Sequence, residues 1–323
     1  MPKFHHITES NFEDAALQLF RRQFAHNPVY REYCTLIGVD PSKVSSLCTI
    51  PFLPISLFKS HEVKSGLWEP QLTFTSSATT GSVPSKHHVC DLEDYKKAFH
   101  IGFEYFYGKP EEWTIVALLP SYLEREGSSL VLMVQELMNA SRRAENGFYL
   151  TNVAQLREQL VRLKETKQKT LLIGVSFALL DFAAEGVLDF PELVIMETGG
   201  MKGRRKEMVR AELHSHLAQG FPSSAIHSEY GMTELFSQAY RTNLQRFACP
   251  PWMRVYTRDI TDPLSTPVQN GSRGALNIID LANTHSCAFI ATQDSGIVWE
   301  DGTFEVYGRV DQSEIRGCNL MVW

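Results

Sequence analysis

The chain has 323 residues, of which 43% are hydrophobic, and a formal net charge of −6 at neutral pH. That length suits about two domains or one large α/β domain with an ample core, and the negative charge argues against nucleic acid as a partner. The sequence shows no amino-terminal apolar signal region and no apolar run near the ~20 residues of a membrane span, and its six scattered cysteines indicate reduced thiols in a cytoplasmic protein.

The first predicted element is a helix that begins after Asn11. Apolar residues recur at helical spacing from Phe12 to Phe24, Asn11 suits the N-cap, and Asn27-Pro28 suits the end of the helix. A proline-rich connection, 51–54, follows before the next periodic segments.

Short apolar strands and helical patterns then alternate along the chain. The predicted strands are 114–119, 171–175, 193–196 and 275–279. Helical stripes are formed by Val153, Leu156, Leu160 and Leu163, and by Val209, Leu213 and Leu217. This alternation predicts an α/β fold with a mostly parallel sheet covered by helices.

The pattern changes from about Arg254. Short β-like segments are separated by Asn270-Gly271, Ser295-Gly296 and Asp301-Gly302, and the last pair lies between 297–299 and 303–307, which predicts a hairpin. We therefore expect an α/β core at residues 1–253 and a smaller β-rich subdomain at residues 254–323, packed on it.

A run of small hydroxyl residues closed by glycine follows a short apolar-polar stretch at 72–75. It reads Ser76-Ser77-Ala78-Thr79-Thr80-Gly81, with Lys86 just beyond. Such a segment is often a plain loop, but its backbone N–H groups and hydroxyls can also wrap a polyphosphate. The candidates for holding the β- and γ-phosphates are Ser77, Thr79, Thr80 and Gly81, and Lys86 or His87 would add positive charge.

A second segment, Tyr230-Gly231-Met232-Thr233-Glu234, places three useful groups in one tight turn. The aromatic ring suits an adenine face, the hydroxyl suits a phosphate oxygen, and the carboxylate suits Mg²⁺.

Together and in this order, the two segments resemble the adenylate-forming superfamily, which includes the acyl-CoA synthetases. Three further segments extend the resemblance. A paired-glycine turn beside the nucleotide and acyl group is similar to Met196-Glu197-Thr198-Gly199-Gly200, and a ribose-binding segment is similar to Ala291-Thr292-Gln293-Asp294-Ser295-Gly296. The hinge element before a small C-terminal domain is similar to Tyr307-Gly308-Arg309-Val310-Asp311.

The resemblance implies a role for each matching residue. Thr233 would contact the α-phosphate of ATP, Glu234 would hold Mg²⁺, and Tyr230, with Gly231 beside it, would stack on adenine. Asp294 would bind the ribose and Arg309 would reach a ribose or phosphate oxygen. We expect these groups to converge on one cleft at the carboxyl ends of the sheet strands.

A narrower resemblance is to the acyl-protein synthetase (LuxE-type) family, with phenylacetate-CoA ligases as a neighbouring branch. It is carried by 51–59 (PFLPISLFK), by Ser85-Lys86-His87 and by the ending Ile315-Arg316-Gly317-Cys318. It implies an enzyme that activates a fatty acid with ATP and Mg²⁺, moves the acyl group onto Cys318, and passes it to a partner reductase.

The chain departs from the superfamily pattern at three places. Ala78 stands where the commonest loop has glycine, and Ser85 interrupts the Pro-Lys pair. The chain also ends soon after Asp311, so we expect the small C-terminal domain to be absent, as it largely is in the LuxE type.

Two other functions remain open on the sequence. One is a free-standing acyl-AMP ligase that charges CoA or a carrier protein. The other is a nucleotide-binding partner subunit without catalysis, against which the joint presence of Thr233, Glu234, Asp294 and Arg309 argues.

Overall fold

A computed structural model describes residues 3–76, 83–119, 127–150, 152–199, 208–242, 245–265 and 270–310. Eight α-helices occur in these ranges: α1 (Phe12–His26), α2 (Pro28–Leu36), α3 (Leu57–Ser60), α4 (Leu92–Tyr107), α5 (Ser129–Ser141), α6 (Val153–Glu165), α7 (Ser176–Ala184) and α8 (Arg210–Gly220). None of these helices is long and apolar enough to cross a membrane.

The strands of the same ranges form three sheets. In chain order they are β1 (Leu53–Pro54), β2 (Leu72–Thr75), β3 (Lys86–Val89), β4 (Thr114–Leu118), β5 (Gly147–Tyr149), β6 (Thr170–Val175), β7 (Leu193–Thr198), β8 (Ala225–Tyr230), β9 (Ala239–Arg241), β10 (Met253–Arg258), β11 (Arg273–Asp280), β12 (Phe289–Val298) and β13 (Phe304–Arg309).

The helix predicted after Asn11 is confirmed as α1, but its first turn is stabilised differently from the prediction. Asn11 occupies the N-cap position, yet its side chain makes no bond to the helix and instead accepts from the backbone N–H of Thr8 at 2.8 Å. Asn27 ends α1 and also begins α2, since its side chain accepts from the N–H of Tyr30 at 3.0 Å. Pro28 therefore starts a second helix, in the first-turn position that proline tolerates.

The predicted parallel sheet is confirmed. Its strand order is β5-β4-β6-β7-β8-β9, with every pair parallel except the last. The central strands β4 and β6 are buried along their whole length, as expected for strands covered on both faces. Helix α5 packs on β4, while α7 and α8 pack on the neighbouring strands and on each other.

The β-rich region forms a second, mostly antiparallel sheet in the order β1-β12-β11-β10, with β13 paired to β12. The β12–β13 pair is the hairpin predicted around Asp301-Gly302. The edge strand β1 of this antiparallel sheet comes from residues 53–54 and pairs with β12 in parallel. A segment from the first part of the chain therefore completes a sheet formed by the last part. The division of the chain at residue 253 stays a prediction.

Candidate active site

The two glycine-bearing turns of the sequence begin at one edge of the parallel sheet. Strands β7 and β8 are parallel neighbours and end at Thr198 and Tyr230. Gly199, which has a φ of +75°, and Gly231 follow directly. This carboxyl edge is where open α/β sheets usually bind ligands.

Tyr230 and Asp294 are brought together across the two sheets. The Tyr230 hydroxyl donates to Oδ2 of Asp294 at 2.7 Å, and the Tyr230 ring, 8% exposed, lies edge-on to Phe304 at a centroid distance of 5.5 Å. Burial raises the pKa of Asp294, although the Tyr230 hydroxyl, Arg309 and Arg210 oppose the rise. The phenol thus fixes the orientation of a half-buried carboxyl group.

Arg309 joins this pair through strand register. It lies directly across from Asp294 in the β12–β13 hairpin, with an exposed side chain. Its positive charge lowers the pKa of both Asp294 and Glu234, against the larger effect of burial. Four of the residues predicted for one cleft, Tyr230, Glu234, Asp294 and Arg309, therefore interact within one neighbourhood.

Glu234 is buried, with only 5% of its surface exposed. Burial raises its pKa, and hydrogen bonds from Ser85 and from its own backbone oppose the rise. Thr233, beside it, is half-buried.

The turn suits Mg²⁺ only together with a polyphosphate. No group of three His, Cys, Asp or Glu side chains that could hold a metal occurs among the described residues. Magnesium, however, is commonly bound by one or two carboxylates plus substrate phosphates. A cation would also relieve the repulsion from Asp294 that adds to burial in raising the pKa of Glu234.

The described residues on either side of the hydroxyl-rich loop connect it to Glu234. Strands β2 and β3 form its two sides, and its base is closed where Ser76 N–H donates to the Ser85 carbonyl at 3.1 Å and Ser85 N–H donates to the Ser76 hydroxyl at 2.8 Å. Because the Ser85 side chain also bonds Glu234, the base of this loop touches the second motif. Ser77, Thr79, Thr80 and Gly81 lie outside the described residues, as do Gly200 and Cys318.

Lys86 and His87 point to opposite faces of β3. Lys86 is exposed and lies opposite Thr75 in the hairpin, and its charge acts on Glu62 and His88. His87 is fully buried, and burial lowers its pKa to about 4. The suggestion that His87 supplies positive charge is therefore wrong, and the catalytic role of Lys86 stays a prediction.

Sequence reasoning missed a buried acid network beneath the two turns. Glu197, in the quoted paired-glycine segment, accepts from Arg210 Nε at 2.9 Å and from the Ser176 hydroxyl at 3.1 Å. Burial alone would raise the pKa of Glu197, but Arg210 and bonds from His214 and Ser228 outweigh it and hold the pKa at about 2. This ion pair fixes α8 to the end of β7.

The second missed acid, Glu229, links the same two turns. The Thr198 hydroxyl hydrogen-bonds to Glu229 Oε2, and Glu229 Oε1 lies where any side chain at position 231 would begin. A side chain at position 231 would therefore displace the Glu229 carboxylate. Burial raises the pKa of Glu229 to about 7, with a further contribution from Glu197 and opposition from Thr198. The sequence signal that could have revealed Glu229 is a charged residue directly before Tyr230, within a strand.

We expect Glu229→Gln to stabilise the protein at alkaline pH. The folded state holds the Glu229 proton up to a pKa of about 7, against 4.5 for the unfolded group, so the wild type loses stability as pH rises through this window. One pKa unit corresponds to about 1.4 kcal/mol, so the full difference is roughly 3 kcal/mol. Urea unfolding at pH 5 and pH 8 measures it. A variant whose advantage is equal at both values would contradict the assignment.

The chain is similar to known proteins of one family. A family model described as acyl-protein synthetase, LuxE, matches residues 145–322, more than half of the chain. A long-chain-fatty-acid–luciferin-component ligase of Aliivibrio fischeri is 25% identical over 329 residues, covering 94% of this chain and 85% of that protein. The ligase of the same name from Vibrio harveyi is 24% identical, covering 93% and 84%.

Solved structures share the fold. A 2-hydroxyisobutyryl-CoA ligase in complex with 2-HIB-AMP and CoA, in an open conformation, matches with a TM-score of 0.68 at 15% identity, covering 94% of this chain and 72% of that one. ATP-bound MatB from Rhodopseudomonas palustris matches with a TM-score of 0.56 at 14% identity, covering 73% and 47%. The predicted adenylate-forming fold is thereby confirmed.

Proposed function

The chain belongs to the acyl-protein synthetase (LuxE) family, and from that premise we propose that it activates a long-chain fatty acid as acyl-AMP and transfers the acyl group to Cys318. The observation that carries the proposal is the meeting of Tyr230, Asp294, Arg309 and Glu234 at the base of the hydroxyl-rich loop. The names of the two relatives support a long-chain fatty acid as substrate.

The first half-reaction forms a mixed anhydride. A carboxylate oxygen of the acid attacks the α-phosphorus of ATP, the bond between the α-phosphorus and the bridging oxygen breaks, and pyrophosphate leaves with the electron pair. Little covalent chemistry is needed from the protein, which aligns the reactants and neutralises charge.

Each residue has a proposed place in that step. Asp294, oriented by Tyr230, accepts hydrogen bonds from the ribose hydroxyls, while the Tyr230 ring stacks on the adenine with Gly231 beside it. Thr233 donates to the α-phosphate and Arg309 reaches a ribose or phosphate oxygen. Glu234 would hold Mg²⁺, which when bound neutralises charge on the phosphates.

The two other segments complete the proposed site. Ser77, Thr79, Thr80 and Gly81 cradle the β- and γ-phosphates, with Lys86 adding charge, and the turn at Gly199 and Gly200 borders the acyl group.

The second half-reaction is acyl transfer. The Cys318 thiol loses its proton, and the resulting thiolate attacks the acyl carbonyl. The carbon–oxygen bond to AMP then breaks, and AMP leaves as the acyl thioester forms. A partner reductase is the proposed final acceptor.

Exchange of radiolabelled pyrophosphate into ATP tests the activation step. We expect exchange that requires a fatty acid and magnesium, with rates that rise as the saturated chain is lengthened. ATP binding without acid-dependent exchange would instead identify a nucleotide-binding subunit without catalysis. Pyrophosphate exchange together with transfer of the acyl group to CoA, and with no acyl label on the protein, would identify a free-standing ligase.

We expect Asp294→Asn to raise the KM for ATP by about 10- to 100-fold, because hydrogen bonds to a charged acceptor contribute about 1.5–3 kcal/mol. The KM for the fatty acid should change little, since Asp294 faces the nucleotide. Tyr230→Phe is the matched variant, which removes the hydroxyl that orients Asp294 and should give a smaller rise. An equal rise in both KM values would contradict the ribose role.

A further inference from the structure

Two buried side chains hydrogen-bond to the backbone carbonyl groups of the Thr233–Glu234 turn. His87 Nδ1 lies 2.8 Å from the Thr233 carbonyl oxygen, and Asn283 Nδ2 donates to the Glu234 carbonyl at 2.9 Å. The two side chains also meet, with His87 Nε2 at 3.3 Å from Asn283 Oδ1. Consecutive peptide groups of the candidate catalytic turn are therefore fixed by two touching anchors.

The chemistry of His87 determines which of its nitrogens makes the important bond. The ring is fully buried between Phe58 and Phe236, at centroid distances of 5.8 and 5.2 Å, and burial keeps it neutral at neutral pH by lowering its pKa to about 4. A neutral imidazole carries one N–H. The oxygens facing Nδ1 and Nε2 both only accept, and the shorter contact, 2.8 Å to the Thr233 carbonyl against 3.3 Å to Asn283 Oδ1, assigns that proton to Nδ1.

Asn283 is oriented by its own donors. Its Nδ2 serves both the Glu234 carbonyl and the Cys287 carbonyl, the latter at 3.0 Å. Its amide oxygen consequently faces His87 Nε2, which has no proton to offer in the neutral tautomer. The Nδ1–H bond to Thr233 is thus the hydrogen bond that ties the ring to the turn.

The two anchors come from different parts of the fold. His87 lies on β3, two residues after Ser85, whose side chain bonds Glu234, while Asn283 lies between β11 and β12 of the antiparallel sheet. Asp280, at the end of β11, continues the contact by accepting from Phe236 N–H and Ser237 N–H at 2.8 and 2.9 Å. Three buried side chains thus hold backbone groups of residues 233, 234, 236 and 237.

We propose that His87 and Asn283 are positioning residues for acyl-adenylate formation, which fix the Thr233–Glu234 backbone so that the Thr233 hydroxyl faces the α-phosphate and the Glu234 carboxylate faces the position proposed for Mg²⁺. This inference rests on the proposed function. The physical reason is that small misplacements of groups that stabilise a transition state cost rate far more than they cost stability. Groups that orient such residues typically contribute about 10- to 100-fold.

A matched pair of amide substitutions tests the role of His87. In His87→Asn the amide nitrogen replaces Nδ1 and can still donate to Thr233, whereas in His87→Gln it replaces Nε2 and faces Asn283 instead. We expect His87→Gln to lower kcat for pyrophosphate exchange by about 10- to 100-fold with a smaller change in the KM for ATP, and His87→Asn to retain most of the wild-type kcat. Adenosine, which lacks the phosphate that Thr233 contacts, should bind both variants with equal affinity by titration calorimetry.

His88 supplies the control, since its ring faces the other side of β3 and contacts the Thr73 hydroxyl at 3.0 Å. His88→Gln should keep the wild-type kcat. All assays are run well below the Tm of each variant, measured separately. Equal loss in His87→Asn and His87→Gln that parallels a fall in Tm would overturn the proposal in favour of a structural role, and so would a wild-type kcat in both. Absence of exchange in the wild type would instead refute the proposed function, and this inference with it.

Discussion

Glu234→Gln should lower acid-dependent pyrophosphate exchange by at least about 100-fold, the cost of losing one electrostatic contact to a transferring phosphoryl group. Glutamine keeps the size of the side chain and an acceptor for Ser85, but it cannot present a carboxylate to a cation. Alanine is a poorer test, because Glu234 is buried and hydrogen-bonded to Ser85, and truncation would leave a cavity and an unpaired hydroxyl.

The fold should survive this change. Burial raises the pKa of Glu234, so the ionised carboxylate carries a desolvation cost in the apo protein that a neutral amide avoids. We therefore expect a Tm equal to or above that of the wild type while exchange collapses. Glu212→Gln, on the exposed surface of α8, is the control. A wild-type rate of pyrophosphate exchange in Glu234→Gln would refute the metal role. So would a variant whose exchange keeps its rate but no longer depends on magnesium.

The strands of the parallel sheet that the sequence revealed share one physical property. Strands β4, β6 and β7 are buried on both faces, so they read as continuous apolar runs. Strand β8 was missed because it contains His227, Ser228 and Glu229, all buried but polar. Helix α7 was missed because it is apolar on nearly every side and follows β6 without a turn, so it lacks the one-sided stripe that marks a helix.

The site was predictable where a residue's role depends on local chemistry. The hydroxyl and glycine loop, the Tyr230–Glu234 turn and Asp294 all stand out as short segments. The bonds of His87 to Thr233 and of Asn283 to Glu234 join residues far apart in sequence. His87 lies in a quoted segment, but nothing in that segment pairs its side chain with the Thr233–Glu234 turn. The burial of Glu234 was equally hidden, since it depends on packing from β3 and on the antiparallel sheet.

The remaining cysteines bear on the acyl acceptor. Cys34 and Cys287 are buried and Cys249 is half-buried, and burial raises the pKa of each thiol, to about 12 for Cys34. The pKa of the half-buried Cys90 is also raised by burial and by nearby acids. Since the thiolate is the nucleophile, these four groups are poor acceptors. Cys48 is the exposed thiol among the described cysteines.

Cys318→Ser should abolish the thioester-linked acyl group while leaving acyl-AMP formation intact. Activation ends when pyrophosphate leaves, before the thiol takes part, so exchange should stay near the wild-type rate. The measurement is acyl label on the protein after incubation with radiolabelled fatty acid, ATP and magnesium, followed by neutral hydroxylamine, which cleaves a thioester.

Cys48→Ser is the matched control and should keep the label. Hydroxylamine-labile label that persists in Cys318→Ser would refute the acceptor role, and its loss in Cys48→Ser would move that role to residue 48. A hydroxylamine-resistant oxygen ester on the hydroxyl introduced by Cys318→Ser would place residue 318 at the acyl carbonyl, because the reacting atoms must come within roughly 3–3.5 Å for transfer.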